Sequence, residues 1–261
     1  MSSHSILDNI QIVLVEPQHP GNIGSSARGM KNMGLKHLVL VSPPKEWFEG
    51  ARIMAANSTD LLKRARTFLT ISEAVSDSIF VVGMTRRGGE ARSPAELKIS
   101  AIKRILKKAT QGQVSILFGN ERVGLSEQEL SDCHLNLSIT TSPDQPSLNL
   151  SHAVLLLTYE LFRNSDAKRF PVIRKDRETY LAKESDLDEM CRLVLPALTK
   201  LGYTNSAKRK HLGTLVKTIK RTAKKSEFEI REVKMIEGLA RRILDSSAEP
   251  HFRLKTAPFP S

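Results

Sequence analysis

The chain has 261 residues, 40 of them Lys or Arg against 28 Asp or Glu, which gives a formal charge of +12 and an apolar fraction of 40%. That length holds one α/β domain with an appendage, or two small domains, and no run approaches the ~18 apolar residues of a membrane span. Residues 1–8 lack a basic or apolar leader, and Cys133 and Cys191 cannot form a disulfide framework or a four-ligand zinc site by themselves, so a soluble, cytoplasmic, metal-free protein is expected.

Compact β-branched or Leu-rich runs predict strands at Ile10–Val15, His37–Val41, Ile79–Val82, Val114–Phe118 and Leu135–Ile139. None alternates with polar residues, as expected for strands covered on both faces. Between them the spacing predicts helices at Ser25–Met33, closed by Gly34, at Ala51–Ala65 and at Ile99–Ala109. Ser93, Pro94 and Glu96 carry a helix-start signature, as do Ser126 and Glu129 ahead of a short helix. Residues 1–165 therefore read as an α/β domain, a mostly parallel sheet with helices on both faces. The pattern Leu148–Phe162 is apolar on nearly every side. Such a helix either sits at the core centre or packs on a second copy; because it closes the domain in sequence, a homodimer contact is favoured.

Residues 166–184 are charged and aperiodic and read as a linker. Beyond it a small α-helical domain is expected over 185–245, followed by a loose, proline-containing tail over 246–261. Its helix patterns are Leu187–Leu201, interrupted by Pro196, then Ala207–Lys224, then Glu227–Leu244 with Ser226 and Glu229 in capping-box spacing. In the second, Leu212, Leu215, Val216 and Ile219 are expected to face inward. Charge concentrates here: residues 1–165 carry net +3 and residues 166–261 net +9. Lys208, Arg209, Lys210, Lys217, Lys220, Arg221, Lys224 and Lys225 follow one another with no acid between them, which suggests a polyanion such as RNA, with a solvated helix face as the alternative.

Common site signatures are missing. Gly119 to Gly124 has phosphate-loop spacing, but Leu125 stands where the lysine is required. What remains is three clusters of glycine and polar residues placed after predicted strands, the edge at which open parallel sheets bind ligands. They are Glu16 to Arg28, containing Asn22, Gly24 and Arg28; Phe118 to Leu125, containing Gly119, Asn120, Glu121 and Arg122; and Pro146 to Ser151, containing Ser147, Leu148 and Asn149. The glycines allow close backbone approach to a ligand, and the side chains supply donors and acceptors. Arg28 suits a phosphate.

In order and wording the clusters resemble the three motifs of the SPOUT superfamily of RNA methyltransferases, in the SpoU/TrmH branch that methylates ribose 2′-hydroxyls. At its narrowest, the likeness is to enzymes acting on tRNA at anticodon-loop position 32; it rests on the Val15–Gly24 opening, the Gly119–Leu125 centre and the basic helical extension. The resemblance implies a trefoil-knotted domain, an obligate homodimer, and S-adenosylmethionine bound around Met84, Thr85, Gly119, Asn120, Glu121, Arg122, Leu137, Ile139, Ser147, Leu148 and Asn149. It implies that Arg28 is the catalytic arginine, with Asn22 its partner. A guanidinium normally stays charged, so the proton acceptor is left open between Arg28, Ser147, a phosphate oxygen and water. A ribosomal RNA target and a non-catalytic RNA-binding protein remain the alternatives; S-adenosylmethionine titration separates the latter.

Overall fold

The computed structural model describes residues 5–85, 95–165, 180–203 and 209–246, in two compact units that divide at Glu178/Thr179. In the first, a 3-10 turn at Ile6–Asn9 leads into β1 (Ile10–Val15), α1 (Pro20–Asn32), β2 (His37–Val41), α2 (Trp47–Ala55), α3 (Thr59–Lys63) and β3 (Arg66–Phe68). Then come α4 (Ile71–Val75), β4 (Ser78–Met84), β5 (Ala95–Glu96), α5 (Ile99–Ala109), β6 (Gln113–Phe118), α6 (Glu127–Ser131), β7 (Leu135–Ser138) and α7 (Leu150–Asn164). The strands form one sheet in the order β3-β2-β1-β6-β4-β7-β5, parallel in every pairing. β1 and β4 are buried along their whole length, which is why their sequences show no polar alternation.

All five expected strands are present. The structure adds β3 and β5, which pair through only three and two residues and are too short to leave a periodic signal. α5 spans the expected Ile99–Ala109, but the start signature ahead of it does not open it: Glu96 is a strand residue of β5, and Ser93 and Pro94 lie outside the described residues. The stretch Ala51–Ala65 is not one helix but α2, a 3-10 turn and α3, broken at Ala56 with φ +48°. The capping box predicted at Ser126 and Glu129 is formed.

The second unit contains α8 (Glu184–Lys200), α9 (Arg209–Lys225) and α10 (Ile230–Asp245). Its core is Leu187, Met190, Val194 and Ala197 against Val216, Ala223, Val233 and Ala240. Leu212 and Val216 face inward and Ile219 packs on that core, whereas Leu215 is exposed. Pro196 does not interrupt α8, which continues to Lys200, and it lies on the exposed side of the helix. α10 starts three residues later than its pattern suggests, with Glu232 accepting from the Glu229 N–H. Tyr180 and Ala182, expected in the linker, exchange backbone hydrogen bonds with Ile230 and Phe228 at 2.7 and 2.8 Å. Residues 166–179 and 247–261 lie outside the described residues.

What places the site in the first unit is the crossing of α1 and α2. α1 opens five residues before the expected Ser25, with Pro20 at its first turn, where a missing N–H costs nothing. Gly24 is thus a helix residue: a Cβ there would lie 2.0 Å from the Ala51 carbonyl oxygen, so the two backbones touch. Gly24→Ala must push the helices apart. It should cost roughly 1–3 kcal/mol or more, read by urea unfolding through Trp47, the chain's one tryptophan, which opens α2.

Candidate active site

The chain leaves β1 through Glu16, whose φ of +48° turns the backbone while its N–H donates to the Val41 carbonyl at 2.8 Å. That turn presents Gln18, His19 and the start of α1 to the loop after β6. There the Glu121 carboxylate collects three donors: the Gln18 N–H on Oε2 at 2.9 Å, and the His19 N–H and Asn22 Nδ2 on Oε1 at 3.3 and 2.6 Å. Partial burial works against its charge, but the Asn22 amide and the backbone N–H groups outweigh it and hold the carboxyl below the usual glutamate range.

Asn22 passes the contact on. Its Oδ1 accepts from Asn149 Nδ2 at 3.0 Å, and Asn149 caps α7 by accepting from the Ser151 N–H and hydroxyl at 2.9 and 2.7 Å. The three clusters are therefore one hydrogen-bonded unit, assembled from segments about 100 and 127 residues apart.

The loop itself is fixed by its own backbone. The Gly124 N–H bonds the Asn120 carbonyl at 2.9 Å, and Asn120 Oδ1 accepts from the Arg122 and Val123 N–H groups at 3.1 and 2.9 Å. A Cβ on Gly119 would lie 2.1 Å from the Gly124 carbonyl carbon, and Gly124 adopts φ +72°. Gly24 and Gly119 are therefore both required by close packing within the chain.

Beside this loop, at the carboxyl ends of β4, β6 and β7, lies a cavity of about 380 Å³. Of the residues expected to hold a cofactor, Met84, Thr85, Gly119, Asn120, Glu121, Arg122, Ile139, Ser147 and Leu148 line it. Two do not. Leu137 is fully buried within β7, where its carbonyl accepts the Thr85 N–H at 2.9 Å, and Asn149 is taken up in capping α7. Leu125, Leu130, Thr141, Leu150 and Ala153 are also part of the wall. Thr141 and Ala153 come from the segment between β7 and α7 and from α7 itself, which no motif spacing marked.

Arg28 does not line the cavity. Six residues after Asn22, it sits about 120° away around α1, exposed and with no hydrogen bond or ion pair among the described residues. Next to it, Gly29 packs against Leu155 of α7. α7 buries Val154, Leu157 and Leu161 in its own unit and exposes Leu155, Leu156, Tyr159 and Phe162.

The expected basic face of the helical unit needs correcting at two positions. Lys224 is buried and pairs with the equally buried Glu184 at 2.8 Å, while Lys220 pairs with Asp188 and Glu184. Both cations hold α9 to α8. Lys217, Arg221 and Lys225 are exposed; Lys208 lies outside the described residues, and of Arg209 and Lys210 only their place in α9 is described.

An all-parallel sheet with a lined cavity across its carboxyl edge, closed by a helix cap from a distant segment, defines the class of α/β enzymes that bind a ligand at that edge. Within that class, the chain belongs to the SpoU rRNA methylase family, whose profile matches residues 9–159. The tRNA (cytidine/uridine-2′-O-)-methyltransferase TrmJ of Photorhabdus laumondii is 31% identical over 90% of this chain and 96% of its own length. The Yersinia enterocolitica enzyme of the same name is 32% identical over 90% and 91%. The crystal structure of TrmJ from Z. mobilis superposes with a TM-score of 0.70 at 28% identity, covering 90% of this chain and 99% of that one.

Glu121 supplies the pH dependence. Because its folded-state pKa is depressed, its stabilisation is present above the ordinary glutamate value of 4.5 and is lost as pH falls through the lower folded value. Glu121→Gln should destabilise the first unit by about 1–2 kcal/mol at neutral pH. The gap to wild type should narrow as pH falls below 4.5, measured by urea unfolding at several pH values.

Proposed function

We propose that this chain transfers a methyl group from S-adenosylmethionine to a ribose 2′-hydroxyl of tRNA, in the cytoplasm, at anticodon-loop position 32. The observation that carries the reading is the cavity: residues of the second and third motifs line one pocket, and the first motif is tied to them through Glu121. The family is described by ribosomal RNA, but the relatives matched over nine-tenths of the chain are named for tRNA, which favours tRNA.

The cavity suits the cofactor. Its volume lies within the range of small-molecule sites. Its wall mixes apolar Ile139, Leu130, Leu148 and Leu150 with the polar groups of Thr85, Asn120 and Ser147. Met84, Thr85, Gly119 to Arg122, Ile139, Ser147 and Leu148 would hold it. When bound, S-adenosylmethionine supplies a sulfonium methyl, an electrophile with a good leaving group.

The protein then has to position the ribose and accept one proton. Glu121 is a poor acceptor, since both oxygens are occupied by donors and its charged form is favoured. Ser147 lines the cavity and is the side chain placed to pass the proton to a phosphate oxygen or water. Arg28 clamps the substrate phosphate and stabilises the developing alkoxide.

Arg28 turns away from the cavity of its own chain and lies next to the apolar stripe of α7, so self-association through that stripe brings it to the pocket of a second copy. The functional unit in this reading is a homodimer, and the knotted passage of the chain around residues 139–149 belongs to it. Lys217, Arg221 and Lys225 of the helical unit contact the tRNA backbone, as do the neighbouring cations at positions 208–210.

Arg28→Ala should lower methyl transfer by about 10²–10³-fold while S-adenosylmethionine binding is retained. Equal turnover in a tritiated-methyl assay would sink the assignment. Leu156→Lys with Phe162→Glu, both exposed, should give folded monomers that transfer no methyl, seen by light scattering beside the assay. Val154 is unsuitable for such a test because it is fully buried in its own unit.

A further inference from the structure

The segment between β7, which ends at Ser138, and α7, which begins at Leu150, enters the cavity wall twice. A first arm brings Ile139 and Thr141 to the cavity, and a second brings Pro146, Ser147 and Leu148. Between the arms, residues 142–145 form an exposed turn. In it the Gln145 N–H bonds the Ser142 carbonyl at 3.2 Å, and the Asp144 N–H bonds the Ser142 hydroxyl at 3.3 Å.

Each arm is anchored at its outer end. The Ser138 carbonyl accepts from the Leu97 N–H at 2.8 Å, and Asn149 bonds Asn22 at 3.0 Å while it caps α7. At the inner ends, next to the turn, the backbone offers less: Pro143 and Pro146 carry no N–H, and among the described residues no backbone hydrogen bond crosses from one arm to the other. A side chain makes the link instead. The Thr141 hydroxyl donates to the Pro146 carbonyl at 3.1 Å, the one hydrogen bond among the described residues that joins the two arms. Both residues are half-buried, so the carbonyl has little water to replace that partner.

We propose that Thr141 is a positioning residue for cofactor binding: its hydroxyl clasps the two arms at the spacing of the cavity before the cofactor arrives. The proposal rests on the reading of this cavity as the S-adenosylmethionine site, and it adds a residue that lies in none of the three motif clusters.

Without the clasp the arms separate in part of the population, and only molecules with the arms together bind at full strength. The apparent affinity falls by that fraction. The net worth of one hydrogen bond sets the size of the loss, roughly 3- to 10-fold. Saturating cofactor holds the arms together by itself, so the loss belongs in the KM for S-adenosylmethionine and not in kcat.

The test compares wild type with three variants of the intact protein. Thr141→Val keeps the branched shape and removes the hydroxyl, whereas Thr141→Ser keeps the hydroxyl. Ser142→Ala removes the bond to the Asp144 N–H, which lies within the turn and joins neither arm to the other. Each is titrated with S-adenosylmethionine by calorimetry and assayed for methyl transfer to one full-length tRNA at varied cofactor concentration. Thr141→Val should bind roughly 3- to 10-fold more weakly, with the KM for the cofactor raised to match. Thr141→Ser should recover most of the affinity, and Ser142→Ala should bind like wild type. Equal affinity of Thr141→Val and wild type overturns the clasp. So does an equal loss in Thr141→Ser or in Ser142→Ala, or a fall in kcat with KM unchanged. The two readings fail separately: a wild type that binds no S-adenosylmethionine removes the cofactor site and the clasp with it, whereas equally tight binding by wild type and Thr141→Val removes the clasp alone.

Discussion

One carboxylate organises the catalytic unit. Three N–H donors from Gln18, His19 and Asn22 converge on Glu121, and a charged acceptor makes each of those bonds stronger than a neutral one would. Through Asn22 the same link reaches Asn149 and fixes the first turn of α7. The entry to α1, the loop after β6 and the cap of α7 are thereby held in mutual register, although the sheet alone would leave each of them a free connection. Occupation of both its oxygens also decides what Glu121 does not do: its lone pairs are committed to structure, and the proton of the substrate hydroxyl has to go elsewhere.

Around that link lies the cavity. The cavity is walled by the ends of three neighbouring strands and by the 119–125 loop, whose geometry depends on a glycine with no room for a Cβ. Arg28 sits about 120° around α1 from Asn22 and does not line the pocket. The exposed apolar stripe beside it, Leu155, Leu156, Tyr159 and Phe162, is costly in a lone subunit. In the dimeric reading both features have one explanation.

Charge is spent in two ways. In the helical unit Lys220 and Lys224 are drawn inward by Glu184 and Asp188, an arrangement that fixes how α8 and α9 pack, since a buried carboxylate without its cation is strongly destabilising. Arg104 and Lys108 do comparable work on the ring of Phe80. Cations drawn into these contacts are not available to a polyanion, so the exposed positive surface is smaller in each unit than a count of basic residues implies.

The sequence by itself determined the class of fold, the five long strands, the three helices of the second unit and the three motif segments. Each of those depends on local chemistry: uninterrupted β-branched runs, helical periodicity, and glycine with polar residues at a strand end. It did not determine β3 and β5, whose two or three paired residues are held by neighbours rather than by propensity. Nor did it assign the glycines, because whether a missing Cβ admits a ligand or another helix depends on what lies opposite; Ala51 does so for Gly24 and Gly124 for Gly119. Asn149 carried motif spacing yet is taken up in a helix cap, Leu137, expected at the cofactor from the resemblance, is buried within β7, and Lys224 reads as surface charge yet is buried. In these cases the residue type was plain from the chain, and its role was decided by what the fold packs against it, such as Ala51, 27 residues after Gly24, or Glu184, 40 residues before Lys224.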